Sequence, residues 1–344
     1  VLCSLTLFIS TGCGIGYLVK SAYSQVGLLN KRVPIDDALN DPKLGDEQKR
    51  KLLLARDARL FAESDLGLKH TKNYTSYVQL DGPYVTYVVS AAERYRLKQY
   101  LWFYPIVGSL PYKGYFDPKD AHEEAEEMKK KDLDVYVRGV SAYSTLGWFR
   151  DPILSSMLRY SDFDLVDTII HETTHATIYI SGEADFNERL AMFIGQKGAE
   201  LFFKKRDGEN SPAIAAMHNE QNDEKLFGEF MSAELKDLDK WYDERKGHPI
   251  PEEERQARFV LIQEHFRTVL RPRLSSNDSY KSFETAKLNN AQLLTYRLYY
   301  QDLNQFEIVF QKYGSDFKRM LEFCKSLQDV SDPVAALAKE AGQN

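Results

Sequence analysis

The stretch Asp164-Leu165-Val166-Asp167-Thr168-Ile169-Ile170-His171-Glu172-Thr173-Thr174-His175 decides the reading of this 344-residue chain. Leu165, Val166, Ile169 and Ile170 recur at helical spacing, so a helix over Asp164–Ile180 has one buried apolar side. On it His171 and His175, four residues apart, share a face, and both imidazoles can reach one metal ion. Glu172 stands beside them, placed to take a proton from an attacking water. Ser181-Gly182 is a stop signal, and a second helix starts near Asp185 or Phe186. If that helix folds back antiparallel, Glu188 in its first turn covers the offset to His175, at roughly 1.5 Å per residue. A catalytic zinc takes three protein ligands and keeps one position open. Glu188 is the expected third ligand of one zinc ion per chain, and Asp185 and Glu183, both in the turn, are its competitors. Asn187 either orients a ligand from outside or caps the helix.

Upstream, the period changes from helical to alternating. Asp41-Pro42 opens a helix whose Leu52, Leu53, Ala55, Leu60 and Phe61 lead to Leu66. Tyr74–Leu80 and Tyr84–Ser90, separated by Asp81-Gly82-Pro83, read as a β-hairpin. Leu101–Val107 is a further strand and Gly108–Phe116 a loop. Asp117-Pro118 opens a charged helix to Lys131, and Asp134–Val140 is another short strand. Downstream the expectation is almost wholly helical, over Phe186–Lys205, Gln221–Arg245, Glu252–Leu270, Asn289–Gln311 and Ser315–Leu327. Arg206–Asn219 and Arg271–Ser282 are polar connectors. The expected architecture is α+β, a small antiparallel sheet in the N-terminal half packed on a mostly helical C-terminal half. The boundaries are 1–12 for a signal-peptide fragment, 13–40 for an anchor and linker, 41–163 for the α+β part and 164–344 for the helical part.

Composition narrows the function classes. With 43% hydrophobic and 12% aromatic residues, the chain can bury a sizeable core and is not disordered. The net charge of −6 argues against a fold-wide basic surface, so no nucleic-acid partner is expected. Val1–Val19 carries no charge. Its apolar Leu5–Ile9 runs into Ser10-Thr11-Gly12-Cys13, like a bacterial lipobox with Cys13 as the lipidated residue. An uncleaved membrane anchor and a plain secretory signal with a chance Cys compete with that reading. Of the 3 cysteines, Cys3 would leave with the signal and Cys13 would carry lipid. Cys324, in Met320–Cys324, is then a core residue, and no disulfide framework is available.

The metal set defines a reaction. Zinc acidifies water towards a pKa of about 7, and Glu172 can accept its proton and return it to the leaving amine of a peptide. The developing oxyanion needs a further donor. Tyr296, Tyr299 and Tyr300 are candidates, with Tyr299 first. Asp134–Tyr143 is a candidate edge strand for pairing with a peptide substrate. Ser144–Phe149, including Trp148, is either a wall of the cleft or core.

The chain resembles the bacterial putative aminopeptidase family of lipoproteins, a gluzincin-like group. Carrying the resemblance are His171–His175 with Phe186-Asn187-Glu188, Val107-Gly108-Ser109, Tyr112–Phe116, Ala142–Phe149 and Asp151–Ser155. Gly12-Cys13, Asn289-Asn290-Ala291 and Tyr299 add to it. Thr173 and Thr174 stand where more apolar residues are common, and Arg189 where a small one is. The resemblance implies a zincin-like core, zinc on His171, His175 and Glu188, and Glu172 as base. It further implies a peptidase, held by a lipid anchor to the membrane. Gly14 after Cys13 would suit the periplasmic face of an outer membrane. An aminopeptidase also needs an anionic group for the substrate ammonium, and Glu183 and Asp185 are near enough to be considered. The competing function is a non-catalytic envelope lipoprotein serving as a binding or scaffold module.

Overall fold

The computed structural model describes residues 12–104, 108–142, 150–276, 279–296 and 303–342. In the first half, helices α1 (Gly12–Asn30), α2 (Ile35–Leu39), α3 (Asp46–Ser64) and α4 (Pro118–Lys130) are interspersed with eight short strands. These are β1 (Val33–Pro34), β2 (Ser76–Val78), β3 (Thr86–Glu93), β4 (Trp102–Tyr104), β5 (Gly108–Leu110), β6 (Tyr112–Tyr115), β7 (Leu133–Val140) and β8 (Ile153–Leu154). Then follow α5 (Asp162–Thr177), α6 (Ala184–Asp207), α7 (Pro212–Asp243), α8 (Glu252–His265) and α9 (Lys281–Thr285). The chain continues with α10 (Asn290–Tyr296), α11 (Asn304–Lys312), α12 (Phe317–Ser326) and α13 (Pro333–Glu340). The fold is α+β, with small, mainly antiparallel sheets in the N-terminal half and helices in the C-terminal half.

Local details depart from the sequence reading. The strands on either side of Asp81-Gly82-Pro83 do not form a hairpin. Instead β2 pairs antiparallel with β1 and parallel with β8, and β3 pairs antiparallel with β6 and β7. Alternation identifies a strand but carries no information about its partner. The expected loop Gly108–Phe116 contains β5 and β6, hidden by its glycines and proline. The expected connector Arg206–Asn219 already holds the first two turns of α7, which Pro212 opens at its first position, where the missing N–H costs nothing. Of Asn289–Gln311, Asn290–Tyr296 and Asn304–Gln311 are helical among the described residues. α1 and α2, within the expected anchor and linker, and α9 and α13 are helices beyond those expected.

Four apolar clusters hold the described chain together. The largest joins α3 (Leu52, Ala55, Ala58), α5 (Leu165, Val166, Ile169, Ile170), α6 (Leu190, Ile194), α11 and α12. Cys324 of α12 lies in it, fully buried, and burial pushes its thiol up to about 12, so it behaves as a small apolar residue. A second cluster gathers α7 and α8 around Phe227, Phe259 and Phe266. In the third, α4 packs Ala121, Ala125 and Met128 on one face of the β6-β3-β7 sheet, against Val89, Ala91 and Tyr115. The opposite face of that sheet carries the rows Tyr112–Ser90–Tyr136 and Gly114–Val88–Arg138. At one end this face is covered by α10, where Ala291 and Leu294 meet Ala92. There the buried Arg255 of α8 grips Asp134 of β7 through two hydrogen bonds of 2.6 and 3.0 Å. Asp134 also accepts the Asn290 backbone N–H at 2.9 Å, so one buried ion pair ties the sheet to the helical half. α1 lies against the sheet's other edge, where the Tyr17 hydroxyl donates to Gly114 O at 2.8 Å and Lys20 pairs with Asp120 at 2.7 Å. No helix among the described residues is long and apolar enough to cross a membrane.

Candidate metal centre

α5 starts on Ser161, whose hydroxyl accepts the Asp164 N–H at 3.0 Å. Asp162 and Asp164 place negative charge at the positive end of the helix dipole. Polar residues inside the histidine motif would be costly on a buried face if left unpaired. Here each is satisfied within the helix. The Thr173 hydroxyl donates to Ile169 O at 2.6 Å, Thr174 to Ile170 O at 2.9 Å, and Thr177 to Thr173 O at 2.7 Å. The two threonines therefore stand in for apolar residues without stranding a donor.

The turn after α5 is clamped by a residue of the next helix. The buried Asn187 amide accepts Ile180 N–H at 2.9 Å and donates to Ile180 O at 2.8 Å. It caps no helix terminus, and these bonds go to the turn backbone rather than to a histidine ring. By closing the turn it fixes where its neighbour Glu188 begins. The approach of the two helices is set further along α6. A Cβ built on Gly195 would overlap Asp167 Oδ1 and stand 3.2 Å from His171 Cβ, and one on Gly198 would stand 2.7 Å from Leu66 Cδ1. A side chain at 195 must push α6 off α5 and take Glu188 with it. Gly195→Val is thus expected to lower the unfolding free energy by about 1–3 kcal/mol and to weaken zinc binding measured by chelator competition. A Gly195→Val chain that melts and binds zinc like the wild type would show that the close approach is dispensable.

With the helices so placed, three donors converge. His171 Nε2 and His175 Nε2 are 3.2 Å apart, Glu188 Oε1 lies 3.3 Å from His175 Nε2, and Glu188 Oε2 lies 3.6 Å from His171 Nε2. Ligand atoms at about 2.0–2.1 Å from a tetrahedral ion stand about 3.3 Å from one another. The donor set and its spacing therefore fit zinc. Of the carboxylates weighed as third ligand, Glu188 is the one grouped with both rings; Glu183 and Asp185 are not part of that group.

The sequence model of the family described as "Putative aminopeptidase" matches residues 16–336. The chain belongs to this family. No curated protein and no solved structure matches it. The family match takes in the whole donor cluster from His171 to Glu188.

Electrostatics in this aminopeptidase-family chain prepare the cluster for a cation. Burial works to raise the Glu188 carboxyl, but hydrogen bonds and charge from His171 and His175 outweigh it and hold the group well below the usual carboxylate range. Burial likewise opposes the His171 imidazolium, yet Glu188, Glu172 and Asp167 together raise its pKa. A metal must displace that proton, so its binding weakens as the pH falls. His175 Nδ1 and Glu172 Oε2 are buried without a hydrogen-bond partner. Asp167, one turn before His171, is pushed up to about 7, chiefly by burial, and its Oδ1, pressed against Gly195, is also unpartnered.

Three phenols sense the charges of this cluster. Burial, and then the Glu172 charge, raise Tyr74; burial also raises Tyr160, against a hydrogen bond to Ser141, with Asp164 and last Glu172 adding to it. From the sheet, the phenol of Tyr112 on β6 is raised by burial and then by Glu188, while Arg138 on β7 acts in the opposite direction. Nothing in the spacing around Tyr74, Tyr112 or Tyr160 singles them out in a chain with 21 tyrosines. Tyr296 instead packs into the second core, its ring 5.3 Å from Phe227 and 5.6 Å from Phe283. Tyr299 and Tyr300 lie outside the described residues, as do Trp148 and all of the Ser144–Phe149 stretch. β7 covers Asp134–Val140 of the expected edge strand and is an edge of its sheet.

Proposed function

We propose that this chain is a zinc-dependent peptidase that trims peptides from the amino end. The observation that carries the reading is the convergence of His171, His175 and Glu188 beside Glu172, in a chain of the putative aminopeptidase family. When bound, zinc supplies the Lewis acidity that acidifies water and polarises the scissile carbonyl. Glu172 takes the proton of the attacking water and delivers it to the leaving amine. Its buried, unpartnered Oε2 leaves it free to accept that proton. β7, at the edge of its sheet, holds the peptide backbone, Tyr299 donates to the oxyanion, and Glu183 or Asp185 holds the substrate ammonium. A lipid on Cys13 would hold the protein on the membrane at the outer membrane's periplasmic side. Because Tyr17 and Lys20 of α1 are bonded to the β6 and α4 side, such an anchor would keep that side near the bilayer.

The test is a panel of matched peptides with free and N-acetylated amino ends, incubated with the zinc-loaded chain. The free peptides are expected to be cleaved at least about tenfold faster, the scale of one charge-assisted contact. Preferential cleavage of the acetylated members would replace the aminopeptidase reading with an endopeptidase one.

A further inference from the structure

We propose that Asp167 is a positioning residue of the metal centre: its carboxylate accepts the Nδ1 proton of His171, and so fixes the tautomer and the tilt with which His171 Nε2 meets the ion. This rests on the zinc reading above. On α5, Asp167, His171 and His175 follow one another at intervals of one turn, so they stand on one stripe of the helix. Side chains on a helix lean toward its N-terminus, which lays the His171 ring over the turn that carries Asp167. The facing helix marks the same spot. A Cβ built on Gly195 of α6 would overlap Asp167 Oδ1 and stand 3.2 Å from His171 Cβ, so the carboxylate and the base of the imidazole lie against one point of α6. Gly195 brings no side chain there, and the carboxylate occupies the space it leaves.

The chemistry favours this pairing. His171 Nε2 is engaged, 3.2 Å from His175 Nε2 and 3.6 Å from Glu188 Oε2. A histidine that binds a metal through one ring nitrogen carries its proton on the other, and a carboxylate that accepts that proton orients the ring and raises its basicity. Nδ1 is the ring nitrogen nearer to Cβ, and Cβ is the part of His171 that shares the Gly195 contact with Asp167. Asp167 in turn has an acceptor to give. Among the carboxylates of the described residues, only Asp167 and Glu172 keep a buried oxygen without a hydrogen-bond partner, Oδ1 and Oε2, and Glu172 has the proposed role of base. A carboxylate oxygen buried unpaired is costly, and the ring N–H removes that cost. Glu188, the other carboxylate at the rings, is directed at the Nε2 atoms. His175 stands two turns beyond Asp167, about 12 Å along the axis at 1.5 Å per residue, so the carboxylate serves His171.

The test compares zinc affinity, by chelator competition, in the wild type, Asp167→Ala and Asp167→Asn, each also melted without metal. Asp167→Ala is expected to bind zinc about 10- to 100-fold more weakly. Asp167→Asn, whose amide oxygen still accepts a proton, should recover part of the loss. Metal-free Asp167→Asn should melt no lower than the metal-free wild type, because Oδ1 makes no hydrogen bond that could be lost. A direct readout needs no comparison of stabilities: in the zinc-loaded wild type with isotope-labelled histidine, the hydrogen-bonded Nδ1 proton of His171 gives a far-downfield signal that disappears in Asp167→Ala. Equal zinc affinity in all three chains, or a loss of affinity matched by a lower melting temperature without metal, would overturn the positioning role. The readings fail separately. A wild type that binds zinc with no dependence on Asp167 overturns this inference and leaves the metal centre standing. One that takes up no zinc overturns both. A chain that binds zinc with the help of Asp167 yet hydrolyses no peptide overturns the peptidase alone.

Discussion

Glu188→Ala is expected to lower zinc affinity at least about 1,000-fold, so that purified protein carries far less than one zinc per chain beside a wild type near one. Among the described residues Glu188 is the one carboxylate in the donor cluster, and both its oxygens are engaged, one on each imidazole. Its removal leaves two neutral imidazoles, without the anionic ligand that offsets part of the ion's charge. The loss should not come through unfolding. The Glu188 side chain is 53% exposed and belongs to none of the apolar clusters, so the variant should melt within a few degrees of the metal-free wild type. Elemental analysis of the two proteins, purified side by side, decides the matter. Zinc retained at the wild-type level in Glu188→Ala would move the third ligand to Asp185 or Glu183. A wild type that takes up no zinc when it is supplied would make the cluster an ordinary buried histidine pair, and the binding-module reading would then lead.

The second large effect separates metal binding from chemistry. Glu172→Gln is expected to lower kcat/KM for a peptide by about 10³-fold or more, since loss of a positioned general base removes proton transfer at both the attack and the departure of the amine. Zinc content should be unchanged, because Glu172 is not among the converging donors. Glutamine keeps the shape of the side chain while removing the charge that the Tyr74 and Tyr160 phenols sense. Peptide hydrolysis at the wild-type rate in Glu172→Gln would show that another group moves the proton. A zinc-loaded wild type that cleaves no peptide would turn the site into a binding module with its metal intact.

How much of this was readable in the chain itself differs between neighbouring residues. His171 and His175 lie on one face because a helix repeats every 3.6 residues, a purely local rule. Leu165, Val166, Ile169 and Ile170 show which face is buried. The stop at Ser181-Gly182 and the restart before Glu188 are local as well. Asn187 is different: its type allowed a cap or an orienting role, and its bond to Ile180 across the turn depends on the loop's closed shape. Gly195 reads as an isolated weak point in a helix; only the presence of Asp167 and His171 against it gives the position a purpose. The β2 and β3 segments carry a clear strand pattern, yet β2 pairs not with β3 but with Ile153-Leu154, far along the chain.

The α+β class, the helical C-terminal half and the placement of two imidazoles and a glutamate on one helix were legible along the chain. These follow from backbone periodicity and side-chain type within a few residues. Tertiary packing was needed to bring Glu188 to both rings, to set Gly195 against Asp167 and His171, and to pair β2 with β8. Each of those facts is a distance between residues far apart in the chain. Such distances are set by helix-to-helix contact at glycines and by strand register, which no local pattern encodes.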